Sequence, residues 1–252
     1  SRITLFTFRK LVFSEIQQEV VLFLGERDGR NHTGIRIIEL DGIDDLVRYE
    51  HTRFSTDALK VMDHSRDKWT QYFLEQDEID LLRELCDSQE LTVARSVINV
   101  DVGIVTGLND FFVLTEQQAA QESLQWFTRP IVTRSGHLQG IRFTPDDLAA
   151  NSAKQYPSRI LNAPDVPFES LPEVVKRYVA KGEQRGYHKG YKCRIRDRWY
   201  VVPSVWTPGA FMLRQVHGYP KIILNETKST CTDTIHRVRF VSSLSPKAVT
   251  AA

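Results

Sequence analysis

The stretch Val100-Asp101-Val102-Gly103-Ile104-Val105-Thr106-Gly107-Leu108-Asn109-Asp110-Phe111-Phe112-Val113-Leu114 decides how this chain of 252 residues is read. Its β-branched and aromatic residues suit extended backbone, and Gly107-Leu108-Asn109-Asp110 places turn formers between two apolar runs. The expected local structure is a strand, a glycine-marked bend and a return strand. From about Thr92 the pattern continues outward as strand and turn. Strands are expected at 97–105, 111–114, 141–143, 199–202, 210–215, 221–224 and 234–241. Two helices interrupt them. Thr144-Pro145-Asp146-Asp147 offers a cap, a first-turn proline and acids suited to a helix dipole. A second helix is expected over 168–181, ending at Gly182 as its left-handed cap.

Upstream of residue 92 the reading changes. The run 19–25 is rich in valine and leucine, residues 26–34 are polar, and 35–40 are apolar again, which predicts two strands joined by a loop. The first of these is apolar on both faces and is expected to be buried in a sheet; exposed, it would be an adhesive edge. Ile79, Leu82, Leu85 and Cys86 recur at helical spacing, with Asp77 as the expected N-cap. Residues 55–91 therefore read as a helical connector, with Trp69, Tyr72 and Phe73 as a shorter amphipathic patch.

Composition bounds the function classes. No apolar run approaches the roughly 18 residues that span a bilayer, and Arg9 and Lys10 break any secretory layout at the start. Three cysteines, Cys86, Cys193 and Cys231, are too few for a disulfide framework and fit a reducing cytoplasm. The net charge of +1 conceals a division. Residues 1–100 carry 13 Lys and Arg against 19 Asp and Glu, whereas residues 101–252 carry 20 against 13. All ten prolines fall between Pro130 and Pro246. An acidic scaffold followed by a basic, partner-facing part is one reading of this asymmetry; chance segregation is the other. The chain starts without methionine and closes on Ser245-Pro246-Lys247, a helix start, so both ends are expected to be cuts in a longer protein.

Three blocks resemble the TaqI-like specificity domain of bacterial adenine-specific DNA methyltransferases from restriction–modification systems. The first is Val100–Leu114. The second runs from Tyr191 to Pro203, Tyr-Lys-Cys-Arg-Ile-Arg-Asp-Arg-Trp-Tyr-Val-Val-Pro. The third is Tyr219-Pro220-Lys221-Ile222-Ile223-Leu224-Asn225, followed by Cys231-Thr232-Asp233-Thr234-Ile235-His236-Arg237-Val238. Arg9–Glu26, with its Phe-Ser-Glu-Ile-Gln-Gln-Glu-Val-Val core, is similar to the segment after the catalytic tetrapeptide in such enzymes. The resemblance implies a parent enzyme that transfers a methyl group from S-adenosylmethionine to N6 of an adenine displaced from the duplex. Its C-terminal domain reads the neighbouring bases.

The chain departs from the whole-enzyme pattern. It has no Asn-Pro-Pro-Tyr or Asp-Pro-Pro-Tyr tetrapeptide and no Gly-x-Gly loop after an early strand. No cofactor and no catalytic residue are therefore expected in this chain; S-adenosylmethionine belongs to the parent enzyme. The expected fold is α+β. Residues 1–54 are expected to carry a remnant β-hairpin and terminal strands of a methyltransferase domain, and 55–91 the connector. Residues 92–242 are expected to form a β-rich target-recognition domain, and 243–252 a truncated helix. The expected partners are double-stranded DNA, the N-terminal catalytic domain, and a restriction endonuclease subunit or domain, with no membrane. The alternative reading is a non-catalytic protein-interaction or RNA-binding module.

The densest charge lies between Lys176 and Arg198. Clustered cations gain affinity for duplex DNA by releasing condensed counterions. Arg185, Lys189, Lys192, Arg194, Arg196 and Arg198 are the expected backbone contacts. The plainer reading puts Lys176, Arg177 and Lys181 at a helix C-terminus and spreads Arg194, Arg196 and Arg198 along one solvated strand face. Asn109, Arg134, Ser135 and His137 sit in two glycine-marked turns and are the base-reading candidates. The plainer reading is that they only form those turns. His188, Cys193, Cys231 and His236 have loose zinc spacing, but alternation favours core packing for both cysteines. Trp199, Tyr200, Trp206 and Phe211 suit either base stacking or a core, and core is the commoner use. Glu39, Asp44 and Asp45 read as a solvated acidic loop rather than a nuclease site.

Overall fold

The computed structural model describes residues 2–16, 18–27, 34–49, 59–88, 90–216, 218–241 and 245–251. The fold is α+β, and the chain divides into two compact units, Ser1–Thr92 and Val93–Ala252.

The first unit holds a three-stranded sheet of β1 (Arg2–Phe8), β2 (Leu22–Glu26) and β3 (Gly34–Leu40). The expected hairpin between the second and third of these does not form. Both pair with β1 instead, β2 antiparallel and β3 parallel, in the order β2-β1-β3. The opening strand takes the central place, with Leu5 and Phe6 buried beside Ile35 of β3. Beside them the Arg36 guanidinium, itself buried, donates to Thr4 Oγ1 at 3.0 Å. The burial expected of β2 is also corrected. Among the described residues β2 pairs on one side only, and Phe23 is 61% exposed with Trp69 edge-on to it. It is the adhesive edge of the earlier reading.

The short helix α1 (Ile43–Arg48) begins at Gly42, whose amide donates to the Asp45 carboxylate at 3.1 Å, while Glu39 pairs with Arg9 at 2.8 Å. Asp45 thus serves a helix start and Glu39 an ion pair, while Asp44 is exposed in the first turn of α1. In the connector, residues 51–58 and 89 lie outside the described set. A 3-10 turn, Trp69–Phe73, precedes α2 (Gln76–Asp87), whose N-cap is Glu75 rather than Asp77. Tyr72 and Ile79 close a core over Leu5 and Ile35. Asp67 accepts from Arg83 at 2.5 Å and from the Tyr72 hydroxyl at 3.2 Å, and these bonds hold its carboxyl below the usual carboxylate range.

In the second unit β4 (Ile98–Val102) leads into α3 (Asn109–Phe112), β5 (Val113–Leu114) and α4 (Glu116–Gln121). Next come β6 (Thr128–Val132), β7 (Arg142–Phe143), α5 (Pro145–Ala153), β8 (Arg159–Leu161) and α6 (Glu173–Gln184). The remainder is α7 (Tyr191–Arg194), β9 (Ala210–Leu213), β10 (Ile222–Asn225), β11 (Thr230–Cys231), β12 (Ile235–Phe240) and α8 (Pro246–Ala251). One sheet runs β4-β12-β9-β10-β7, the other β11-β6-β8-β5. The strand and return strand around Gly107 therefore never face each other. β4 pairs with β12 and β5 with β8, and Phe111 and Phe112, expected to start the return strand, belong instead to the helical turn Asn109–Phe112. Local pattern showed extended chain on both sides of the bend; partners more than forty residues away decided the pairing. Residues 199–202 form no strand either, because Tyr200 and Trp199 are drawn into the core around α6.

Helix α5 follows its sequence signals. Thr144 Oγ1 accepts from the Asp147 amide at 3.3 Å, and Asp147 accepts from the Thr144 amide at 2.8 Å. Helix α6 runs beyond the expected end. Gly182 lies inside it, and a methyl group there would come within 2.6 Å of Phe111 and 2.7 Å of Trp199. The left-handed residue is Gly186, φ +76°, just past the Arg185 C-cap.

Candidate nucleic-acid interface

Beyond Gly186 the chain forms a 3-10 turn, Tyr187–Lys189, and then α7. Cys193 on α7 is buried and joins the core of Phe111, Phe112 and Val179, which turns Lys192 and Arg194 outward. Arg194 closes α7, and residues 195–198 form a turn rather than the alternating strand face of the plainer reading, so the three arginines take different surroundings.

Arg196 faces inward. Its Nη2 donates to the carbonyls of Val105 at 3.0 Å and Thr106 at 2.8 Å, and its guanidinium lies 5.4 Å from the Phe112 ring centre. Burial pulls its pKa below the usual arginine value. Arg198 pairs with Asp165 at 2.6 Å, Lys181 with Glu122 at 2.6 Å and Lys176 with Glu173 at 2.7 Å. Arg185, Lys189, Lys192 and Arg194 are exposed and have no ion pair among the described residues. Uncompensated positive charge is thus concentrated on ten residues of chain.

This cationic stretch abuts the turn from the opening motif. Gly107 has φ +84°, and a Cβ on it would sit 2.5 Å from the Lys192 Cβ, so glycine lets the turn and α7 touch. Asn109 is exposed at the start of α3, its Oδ1 accepting from Thr106 Oγ1 at 2.6 Å. Its amide nitrogen has no partner among the described residues and remains available to a ligand.

The second glycine-marked turn divides its residues. His137 stacks on Tyr156 with ring centres 4.3 Å apart, and Nδ1 lies 3.3 Å from Thr133 Oγ1. Burial and then the Arg134 charge push its pKa down. Arg134 and Ser135 are exposed and line an open cleft of about 730 Å³ with Leu213, Arg214, Gln215 and Thr234. Arg214 and Gln215 were missed in the sequence because they sit at the frayed end of a predicted strand, with no motif to mark them.

The remaining candidates are accounted for by packing. Cys193 and Cys231 lie in separate cores, and burial pushes the Cys231 thiol up to about 12. No group of three or more metal-ligating side chains occurs among the described residues. Tyr200 and Phe211 are buried, and the Trp199 indole donates to Glu183 at 3.0 Å. Trp206 lies against Arg237 and Arg239, with guanidinium carbons 4.6 Å and 4.5 Å from its ring centre.

Residues 66–252 match the family model described as the C-terminal domain of the type II methyltransferase M.Eco57I. The chain belongs to this family. The match covers the end of the first unit and all of the second, so both glycine-marked turns, the cationic stretch and the cleft lie inside the methyltransferase C-terminal domain. No curated protein matches the chain. The family places the chain in a restriction–modification methyltransferase context. No described helix is long and apolar enough to cross a membrane.

Proposed function

We propose that this C-terminal domain is the target-recognition part of a bacterial, cytoplasmic, site-specific adenine-N6 DNA methyltransferase of TaqI-like type, and that it positions duplex DNA for methylation by a separate catalytic domain. One observation carries the reading: Arg185, Lys189, Lys192 and Arg194 stand exposed and unpaired beside the Gly107–Asn109 turn, while their neighbours are neutralised or buried. Four such cations suit a row of phosphates, which fix position, while the adjoining turn residues meet base edges. The partners of this reading are duplex DNA, the catalytic domain and a restriction endonuclease subunit or domain.

S-adenosylmethionine does not fit the residues present. β1 is followed by Arg9 and Lys10 rather than a glycine loop, and the chain has no adenine-gripping tetrapeptide. The cofactor belongs, on this reading, to the catalytic domain.

The test is fluorescence anisotropy with duplex DNA across a salt series. Lys189, Lys192 and Arg194 replaced together by alanine should weaken all duplexes alike and lower the slope of log affinity against log salt by about 3. Wild-type affinity should lie near the nonspecific range, about micromolar or weaker at physiological salt. An unchanged slope with intact circular dichroism would overturn the assignment, and preferential competition by structured RNA would redirect it to RNA.

A further inference from the structure

The cleft at Arg134 is built by three segments that meet only in the folded chain. They are the turn after β6, the end of β9 and the turn between β11 and β12. The Thr232 and Thr234 hydroxyls both donate to the Thr133 carbonyl at 2.9 Å and tie the first segment to the third. Arg214 Nη1 donates to the Asp233 carbonyl at 3.3 Å and ties the second to the third. That bond uses one of five guanidinium donors and orients the rest. None of the six lining residues is acidic, and neither Arg134 nor Arg214 forms an ion pair among the described residues. The cleft thus presents two uncompensated guanidinium groups, a carboxamide and hydroxyls on an open surface. Arginine pairs two donors with guanine O6 and N7, and glutamine pairs a donor and an acceptor with adenine N6 and N7. An enclosed apolar pocket for a small molecule is the opposite design.

The cleft is also close to the cationic stretch. Ile104 bridges Thr232, whose hydroxyl ties the first segment of the cleft to the third, and Gly107, three residues on, touches Lys192. Three residues of chain span at most about 11 Å. That separation is well within one turn of duplex, roughly 34 Å long.

We propose that this cleft is a base-reading subsite in which Arg214 and Gln215 set sequence preference, Arg214 for a guanine and Gln215 for an adenine, with Arg134 holding the adjoining backbone. The proposal rests on the duplex-DNA reading above. The experiment is selection from a duplex pool with randomised positions, using the full chain as wild type, Arg214→Lys, Arg214→Ala and Gln215→Ala, each checked by circular dichroism. Wild type should enrich a short site. Arg214→Lys keeps the charge but loses the fork, so it should keep pool affinity within about threefold and lose about tenfold enrichment at one guanine. Gln215→Ala should do the same at one adenine. If enrichment is unchanged, and Arg214→Ala only weakens every duplex and lowers the salt slope by about 1, the arginine touches phosphate and the subsite is overturned. Wild type that holds duplex without enriching any sequence also overturns it and leaves the DNA reading standing. Wild type that holds no duplex overturns both.

Discussion

Arg196 and Lys192 are four residues apart in one basic run, and the fold gives them opposite work. Arg196 satisfies two carbonyls and covers Phe112, whereas Lys192 is exposed and unpaired. Arg196→Ala is expected to cost about 2 kcal/mol of stability, the range for hydrogen bonds from a charged group. Lys192→Ala should stay within about 0.5 kcal/mol and lower DNA affinity instead. Urea titration of the two variants checks the contrast. His137 makes a pH-dependent prediction. Its folded pKa lies below the usual 6.5, so the unfolded chain binds the proton more readily. Its contribution is therefore complete above about pH 6.5 and is lost as pH falls toward the folded value. Between pH 7.5 and 5.5 the wild-type urea midpoint should drop more than that of His137→Gln; equal drops would show that His137 does not drive the loss.

At the scale of elements, Gly182→Ala in α6 sets two effects against each other. Alanine favours a helix by about 1 kcal/mol, but the added methyl meets Phe111 and Trp199, whose rings already pack with centres 4.9 Å apart. Overpacking of this kind costs about 1–3 kcal/mol, so a net loss of about 1 kcal/mol is expected in the urea midpoint. A gain would mean that the aromatic cluster yields. How well each element could be read follows how local its cause is. The N-terminus of α5 could be read directly, because Thr144, Pro145 and Asp147 complete their cap within four residues. The same holds for the start of α8 at Pro246. The end of α6 was misplaced because Gly182 serves a packing contact with residues 71 and 17 positions away in sequence. The alternating strand face of the plainer reading of Arg194, Arg196 and Arg198 does not form, because a helical turn begins at Tyr191 and buries Cys193.

At the scale of the whole molecule, the two units have separate cores. Leu5, Ile35, Tyr72 and Ile79 form one, and the other clusters draw only on residues after Thr92. A fragment of residues 93–252 is of ordinary domain size, and we expect it to fold cooperatively alone. It also contains Arg185, Lys189, Lys192 and Arg194, so it should keep the duplex affinity of the full chain within about threefold and the same salt slope, since slope counts phosphate contacts. A dispersed amide spectrum and the salt series together check this. Loss of cooperative unfolding would show that the second unit needs the first.

The sequence by itself determined the α+β class, the change of character near residue 92, the basic charge of the second half and the run that carries it. All of these are summed or locally periodic properties, which survive without knowledge of partners. Only the tertiary structure decided which strands pair, because backbone hydrogen bonds carry no residue identity and β1, β3 and β12 found partners that hydropathy does not name. It alone sorted the cations into buried, paired and free, since a carboxylate such as Asp165 neutralises Arg198 across 33 positions of sequence. And it alone assembled Arg134 with Arg214 and Gln215, because that cleft exists only where two turns and the end of β9 are tied together through the carbonyls of Thr133 and Asp233.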